Sequence, residues 1–122
     1  MFNNSTTNTI NFAVSNDIAV DIFQVYNYPN PFDDYTSFTF RHNQFKGELT
    51  LEIEVYDFYG QHVRTIGPEK VFTDGYSIAP VLWEGDSQGG SKLDDGVYFY
   101  TVKVSNQNGQ FTQRRQKLII TQ

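Results

Sequence analysis

From Leu49 the chain reads Leu-Thr-Leu-Glu-Ile-Glu-Val-Tyr, which puts Leu49, Leu51, Ile53 and Val55 on one face and Thr50, Glu52, Glu54 and Tyr56 on the other. Side chains alternate across a strand, so this pattern predicts a strand with one buried face. Residues 37–42 alternate likewise, with Phe38, Phe40 and His42 opposite Ser37, Thr39 and Arg41. Residues 61–66, 78–83, 97–104 and 111–120 predict further strands, the last interrupted by the polar stretch 113–117. No stretch of ten or more residues carries apolar positions at helical spacing, so no α-helix is predicted.

The turn residues agree. Asp57-Phe58-Tyr59-Gly60 predicts a hairpin, with Gly60 free to take a positive φ, and Asn108-Gly109 is the strongest short hairpin signal in the chain. Residues 85–90 and Asp94-Asp95-Gly96 punctuate the approach to the last two strands. Short strands separated by such turns predict an all-β, antiparallel sandwich of seven strands, or eight. Residues 1–9 are mostly Asn, Ser and Thr and predict a mobile linker. Ile10, Phe12 and Val14 alternate, as do Ile18, Val20 and Ile22, predicting one or two strands before Tyr26. The division that follows is 1–17 as linker or the end of a preceding domain, and 18–122 as one sandwich domain.

At 122 residues one core suffices, since such a chain buries roughly two thirds of its unfolded surface. Nine basic against fourteen acidic side chains leave a net charge of -5, opposite to the footprint of most nucleic-acid binders, so no nucleic acid is expected as partner. The absence of cysteine removes disulfides, thiolate zinc sites and a cysteine nucleophile, and leaves the redox compartment open. No run approaches the ~18 apolar residues of a membrane helix, so no direct membrane insertion is expected. The first basic residue is Arg41, so the opening Met-Phe-Asn-Asn-Ser does not read as a secretory signal, and an exported form would be a fragment of a longer chain. The charge is uneven: residues 1–95 hold five basic groups and all fourteen acidic ones, a balance of -9. Residues 96–122 hold Lys103, Arg114, Arg115 and Lys117 with no acid, a basic end that a solvated strand face also explains.

Candidate chemistry is sparse. His42 and His62 both fall on predicted strands with no converging nucleophile or ligands, so packed or surface roles fit them and no catalytic or metal site is assigned. Asp33-Asp34, Asp94-Asp95 and Glu84 with Asp86 place hard oxygens in loops, but none matches the spacing of a twelve-residue calcium loop. No glycine-rich phosphate loop follows a strand and opens a helix. Trp83, Tyr98 and Tyr100 fit either a stacking platform for sugars or proline-rich peptides, or core packing between sheets. In Asn27-Tyr28-Pro29-Asn30-Pro31-Phe32, two prolines remove two backbone donors, which predicts a rigid corner, an edge or a recognition element.

In order, Tyr28-Pro-Asn-Pro-Phe32, Thr36-Ser-Phe-Thr-Phe40, Val55-Tyr-Asp-Phe-Tyr-Gly60 with Val63-Arg-Thr-Ile66, Leu93-Asp-Asp-Gly-Val-Tyr-Phe-Tyr100 and Lys117-Leu-Ile-Ile120 resemble the C-terminal signal domain of type IX secretion substrates of Bacteroidota. Each motif alone is weak; the ordered set over residues 25–122 makes the resemblance specific. Gly75-Tyr-Ser-Ile-Ala-Pro-Val-Leu-Trp-Glu-Gly85, a segment that ordinary cargo signals usually lack, and Phe40-Arg-His-Asn43 are most similar to the C-terminal domain of the type IX sortase, a gingipain-like cysteine peptidase. The family is also similar to the immunoglobulin-like domain of the flagellar hook-cap protein. The resemblance implies a seven-stranded, immunoglobulin-like sandwich that is not itself an enzyme, with the catalytic Cys and His upstream and no cofactor. It implies a monomeric targeting domain retained at the cell surface by an outer-membrane β-barrel shuttle protein of the PorV type. On this reading Lys117, Leu118, Ile119 and Ile120 form the recognition end, Arg114 and Arg115 assist electrostatically, and Pro29, Asn30 and Pro31 form a second element. The competing readings are a cleavable cargo signal domain, a carbohydrate-binding or adhesion module, and a hook-cap-like assembly scaffold.

Overall fold

The computed structural model describes residues 19–44 and 46–121, whose regular elements are all strands. They are β1 (Ile22–Tyr28), β2 (Thr36–His42), β3 (Lys46–Tyr56), β4 (His62–Asp74), β5 (Val81–Trp83), β6 (Gly96–Ser105) and β7 (Phe111–Ile120). All pair antiparallel, in a three-stranded sheet of order β1-β2-β5 and a four-stranded sheet of order β4-β3-β6-β7. This is the seven-stranded β-sandwich expected from the alternation. Its order is that of an immunoglobulin constant domain with the fourth strand moved from the edge of one sheet to the edge of the other. The linker and the alternating positions expected at 1–17 lie outside the described residues, as does Ile18.

The core is built from the inward positions of both sheets. Leu49, Leu51, Ile53 and Val55 on β3 face Phe38, Phe40 and His42 on β2, and all are buried as the alternation predicts. Each fully buried aliphatic side chain contributes about 1.5 to 3 kcal/mol relative to exposure. Phe38 lies at the centre, its ring 4.8 Å from that of Tyr100 and 5.9 Å from that of Trp83.

One strand is longer than its sequence suggests and another is unbroken. The strand expected at 61–66 continues through Gly67 and Pro68 to Asp74, because β4 is an edge strand and loses nothing by proline's missing donor on its open side. The register passes from Leu51↔Glu69 to Ile53↔Ile66, so one extra residue bulges from β4 at this point. Gly67 carries a φ of +89°, and a Cβ there would stand 2.6 Å from the Leu51 carbonyl oxygen. The polar stretch 113–117 does not interrupt β7, which pairs with β6 from Ser105↔Phe111 to Gly96↔Ile120. Main-chain pairing carries an edge strand whose side chains remain in water. The segment expected at 78–83 is a strand only over Val81–Trp83.

Three tight loops share one hydrogen-bond pattern. In 57–61, 87–91 and 106–110 the first N–H donates to the fifth carbonyl, at 2.9, 2.7 and 2.9 Å, and the fourth residue, always glycine, donates to the first carbonyl. Gly60, Gly90 and Gly109 take φ values of +87°, +94° and +83°. Asp57, Ser87 and Asn106 hold the turns from within by accepting from backbone N–H groups later in the loop.

Candidate docking surface

The two recognition elements expected from the sequence meet in space. Ladder pairing with β2 stops at Tyr28↔Ser37, because Pro29 and Pro31 lack donors, and the segment reaches β7 through Asn30 and Phe32 instead. The Asn30 amide nitrogen donates to the Lys117 carbonyl at 3.4 Å, and the Asn30 amide oxygen accepts from the Ile119 N–H at 3.0 Å. One residue further, the Phe32 N–H donates to the Ile119 carbonyl and the Thr121 N–H donates to the Phe32 carbonyl. The clasp is anchored from behind: the Thr36 hydroxyl donates to the Pro29 carbonyl at 2.8 Å and accepts from the buried Asn27 amide at 3.0 Å.

The side chains divide sharply along β7. Leu118 and Ile120 are fully buried and complete the core, so this strand presents a partner with Lys117, Ile119 and its main chain instead. Lys117, Arg114 and Arg115 are exposed, as are Asn30 and Pro31, while Pro29 and Ile119 are half-buried. Arg114 turns toward β1 and pairs with Asp21. Arg115 lies on the outer face with its guanidinium 4.8 Å from the centre of the Phe99 ring. Lys103, also outward, sits 4.8 Å over Phe111. The outer face of the large sheet therefore carries cations on β6 and β7 resting on aromatic rings, while Glu48, Glu52 and Glu54 stand on β3. Beyond the clasp, the open edge of β7 at Gln113 and Arg115 has no further backbone partner among the described residues. An edge of this kind can accept an added strand.

The aromatic platform expected at Trp83, Tyr98 and Tyr100 is not formed. All three are buried, Trp83 donating from Nε1 to the Asp86 carbonyl at 3.2 Å and the Tyr98 hydroxyl donating to the Asp94 carbonyl at 2.8 Å. The Tyr100 hydroxyl lies in the core without a partner, and burial pushes its pKa up. The exposed tyrosines are others, Tyr59 and Tyr76 in loops and, gathered near β1 and β2, Tyr26, Tyr28 and Tyr35. Tyr26 and Tyr28 face out because β1 bulges between Phe23 and Tyr26, where Gln24 takes a φ of +54°. Ile22, Val25 and Asn27 point inward, so the alternation slips by one residue, and the regular Ile18, Val20, Ile22 series gives no sign of it.

Of the loop oxygens considered for a cation, those at 33–34 and 84–86 surround a lysine. The Lys92 ammonium donates to the carbonyls of Asp33 at 2.6 Å and Glu84 at 3.0 Å, beside Asp34 and Asp86. Among the described residues no group of three or more His, Cys, Asp or Glu side chains converges as metal ligands. His62 is exposed beside Thr65, at 2.7 Å, and Glu54, at 3.4 Å. His42 is buried among core rings.

No family model matches the chain, and no curated protein does. Among solved structures it is similar to dimeric latent PorU from Porphyromonas gingivalis, with a TM-score of 0.69 and 24% identity over 94% of this chain and 10% of that one. It is also similar to β-glucuronidase from Parabacteroides merdae, with a TM-score of 0.53 and 12% identity over 84% of this chain and 13% of that one. PorZ, a surface component of the type IX secretion system of Porphyromonas gingivalis, aligns at a TM-score of 0.46 with 16% identity, over 81% of this chain and 12% of that one. The chain spans about a tenth of the length of these proteins, and what the first two share with it is the fold.

Proposed function

We propose that this chain is the non-catalytic C-terminal domain of a type IX secretion sortase, directing the enzyme across the outer membrane and holding it at the surface. It does so by docking on an outer-membrane β-barrel shuttle protein of the PorV type. The observation that carries this reading is the clasp. Two family-like motifs, Tyr28 to Phe32 and Lys117 to Ile120, are joined by Asn30 hydrogen bonds spanning 87 and 89 residues, so these two of the ordered motifs meet at one edge. The shared fold with PorU over 94% of the chain is in keeping with it. Charge steers encounter, and the open β7 edge supplies main-chain pairing.

Point variants test this better than truncation, because removing residues 117–122 takes Leu118 and Ile120 out of the core. The 122-residue chain immobilised on beads should capture barrel proteins from a type IX-competent outer membrane, and Arg115→Glu with Lys117→Glu should abolish capture while leaving the melting transition in place. Capture unaffected by the double variant would overturn the assignment to this edge; no capture by either protein would overturn the docking reading. The alternative of a cargo signal is separated by mass: a sortase domain stays attached to its surface-exposed parent, whereas a cargo signal is removed.

A further inference from the structure

A second surface, on the other sheet, carries a different chemistry. Ser37 and Thr39 on the middle strand β2 point outward and are short. Across from them stand Tyr28, paired with Ser37, and Tyr26, paired with Thr39, while Leu82 on β5 lies opposite Ser37 on the other side. Small side chains in the centre and large ones on the flanks leave a groove of about 410 Å³, completed by Tyr35, Pro29 and Pro80. This lies at the low end of ligand sites, which run to roughly 300–1,000 Å³. Tyr26, Tyr28, Tyr35 and Leu82 are 54%, 73%, 51% and 59% exposed, an apolar concentration that a lone surface residue would not make.

The lining decides the ligand class. It contains aromatic rings, proline rings and five hydroxyls, and no carboxylate, ammonium, guanidinium or side-chain amide. Such a surface favours a neutral ligand with flat apolar faces and outward-pointing acceptors. A saccharide presents neighbouring hydroxyls that planar amides, carboxylates or guanidinium groups hold in pairs, and none lines this groove. A polyproline II segment has no internal hydrogen bonds, so its carbonyls point outward to accept from tyrosine, serine or threonine hydroxyls, and its rings pack on aromatic rings. It is also stiff before binding, which lowers the entropy lost on an open groove. We propose that the Tyr26, Tyr28 and Tyr35 groove binds a neutral proline-rich peptide in the polyproline II conformation. The groove shares Tyr28 and Pro29 with the clasp but takes no residue from the β7 edge, so binding here is read separately from docking through Arg115 and Lys117.

The test is a titration of the 122-residue chain with acetylated decaproline and, in parallel, with a neutral linear oligosaccharide, following backbone amide resonances. Decaproline should bind saturably, with shifts concentrated at Ser37, Thr39 and their neighbours on β1. Tyr35→Ala and Tyr26→Ala should each weaken binding about tenfold or more, as loss of an aromatic anchor does. Tyr26→Phe, which keeps the ring and removes a donor, should weaken it by a smaller factor. Arg115→Glu should leave decaproline binding unchanged, which separates this result from failure of the β7 edge. Absence of shifts at millimolar peptide, equal affinity in Tyr35→Ala, oligosaccharide binding without peptide binding, or pairing of two chains through these tyrosines that decaproline does not compete would each overturn the proposal.

Discussion

His42 is fully buried on the inner face of β2, with its ring centre 6.4 Å from both Phe40 and Tyr76. Nδ1 accepts from the Gln44 N–H at 3.1 Å, and Nε2 is without a well-formed hydrogen bond. Burial holds its pKa below the ordinary 6.5; the backbone of Ser77 pulls the other way, and the Arg41 charge adds to the lowering. Above the unfolded value both states keep a neutral ring. Below it the unfolded chain binds the proton first, so stability declines as pH falls until the folded-state pKa is passed. The melting temperature should therefore drop between neutral pH and about 5.5, and His42→Phe should flatten that drop. Equal slopes in the two proteins would clear His42 of the effect. Neighbours on β7 supply a second contrast. Leu118→Ala should cost about 2 to 5 kcal/mol in denaturant unfolding, as a buried truncation does, whereas Lys117→Gln should stay within about 0.5 kcal/mol.

At the scale of elements, β4 and the 28–32 segment depend on single residues. Gly67 lets β4 bulge past Leu51, and alanine there meets both an unfavourable φ and a carbonyl oxygen at 2.6 Å. Gly67→Ala should cost about 2 to 4 kcal/mol in chemical denaturation, well above the change expected at a solvated edge. Asn30 joins a proline-stiffened loop to a strand edge by two hydrogen bonds to the main chain. Asn30→Ala should lose about 1 to 2 kcal/mol and speed hydrogen exchange at the Ile119 amide more than at core amides of β3. Unchanged Ile119 exchange would mean the clasp contributes nothing to order at the end of β7.

For the molecule as a whole, charge and chemistry are separated. Fourteen acidic and five basic groups lie before residue 96 and four basic groups after it, and those four stand exposed on β6 and β7. Docking through this face should weaken as salt rises from about 0.05 to 0.5 M, because exposed charges are screened over about a Debye length. A salt-independent association would point to the tyrosine groove or to strand pairing alone. His42 accepts from a backbone N–H, His62 shares an exposed hydrogen bond with the Thr65 hydroxyl at 2.7 Å rather than lying in a cleft, and the sequence holds no cysteine. The purified chain should therefore leave a cargo signal peptide intact over hours of incubation, with any cleavage traced by mass spectrometry.

The inward faces of β2 and β3 were legible in the sequence because a buried face must be apolar at every second position, a condition Leu49 to Val55 state outright. The loops at Asp57 and Asn106 were legible for a similar reason: their hydrogen bonds and their glycines lie within five residues. The bulge at Gln24 was not, since the neighbouring alternation is regular and only packing against the second sheet decides that Val25 and Asn27 turn inward. Nor could composition choose between the aromatics. Trp83, Tyr98 and Tyr100 are core while Tyr26, Tyr28 and Tyr35 are surface, because the facing sheet covers one set and leaves the other in water. Both candidate sites rest on the same division. Local sequence determined the strand period and the turns, while which strands are edges, and that Asn30 reaches Lys117 and Ile119, depended on pairing between residues far apart in the chain and was decided only by the tertiary structure.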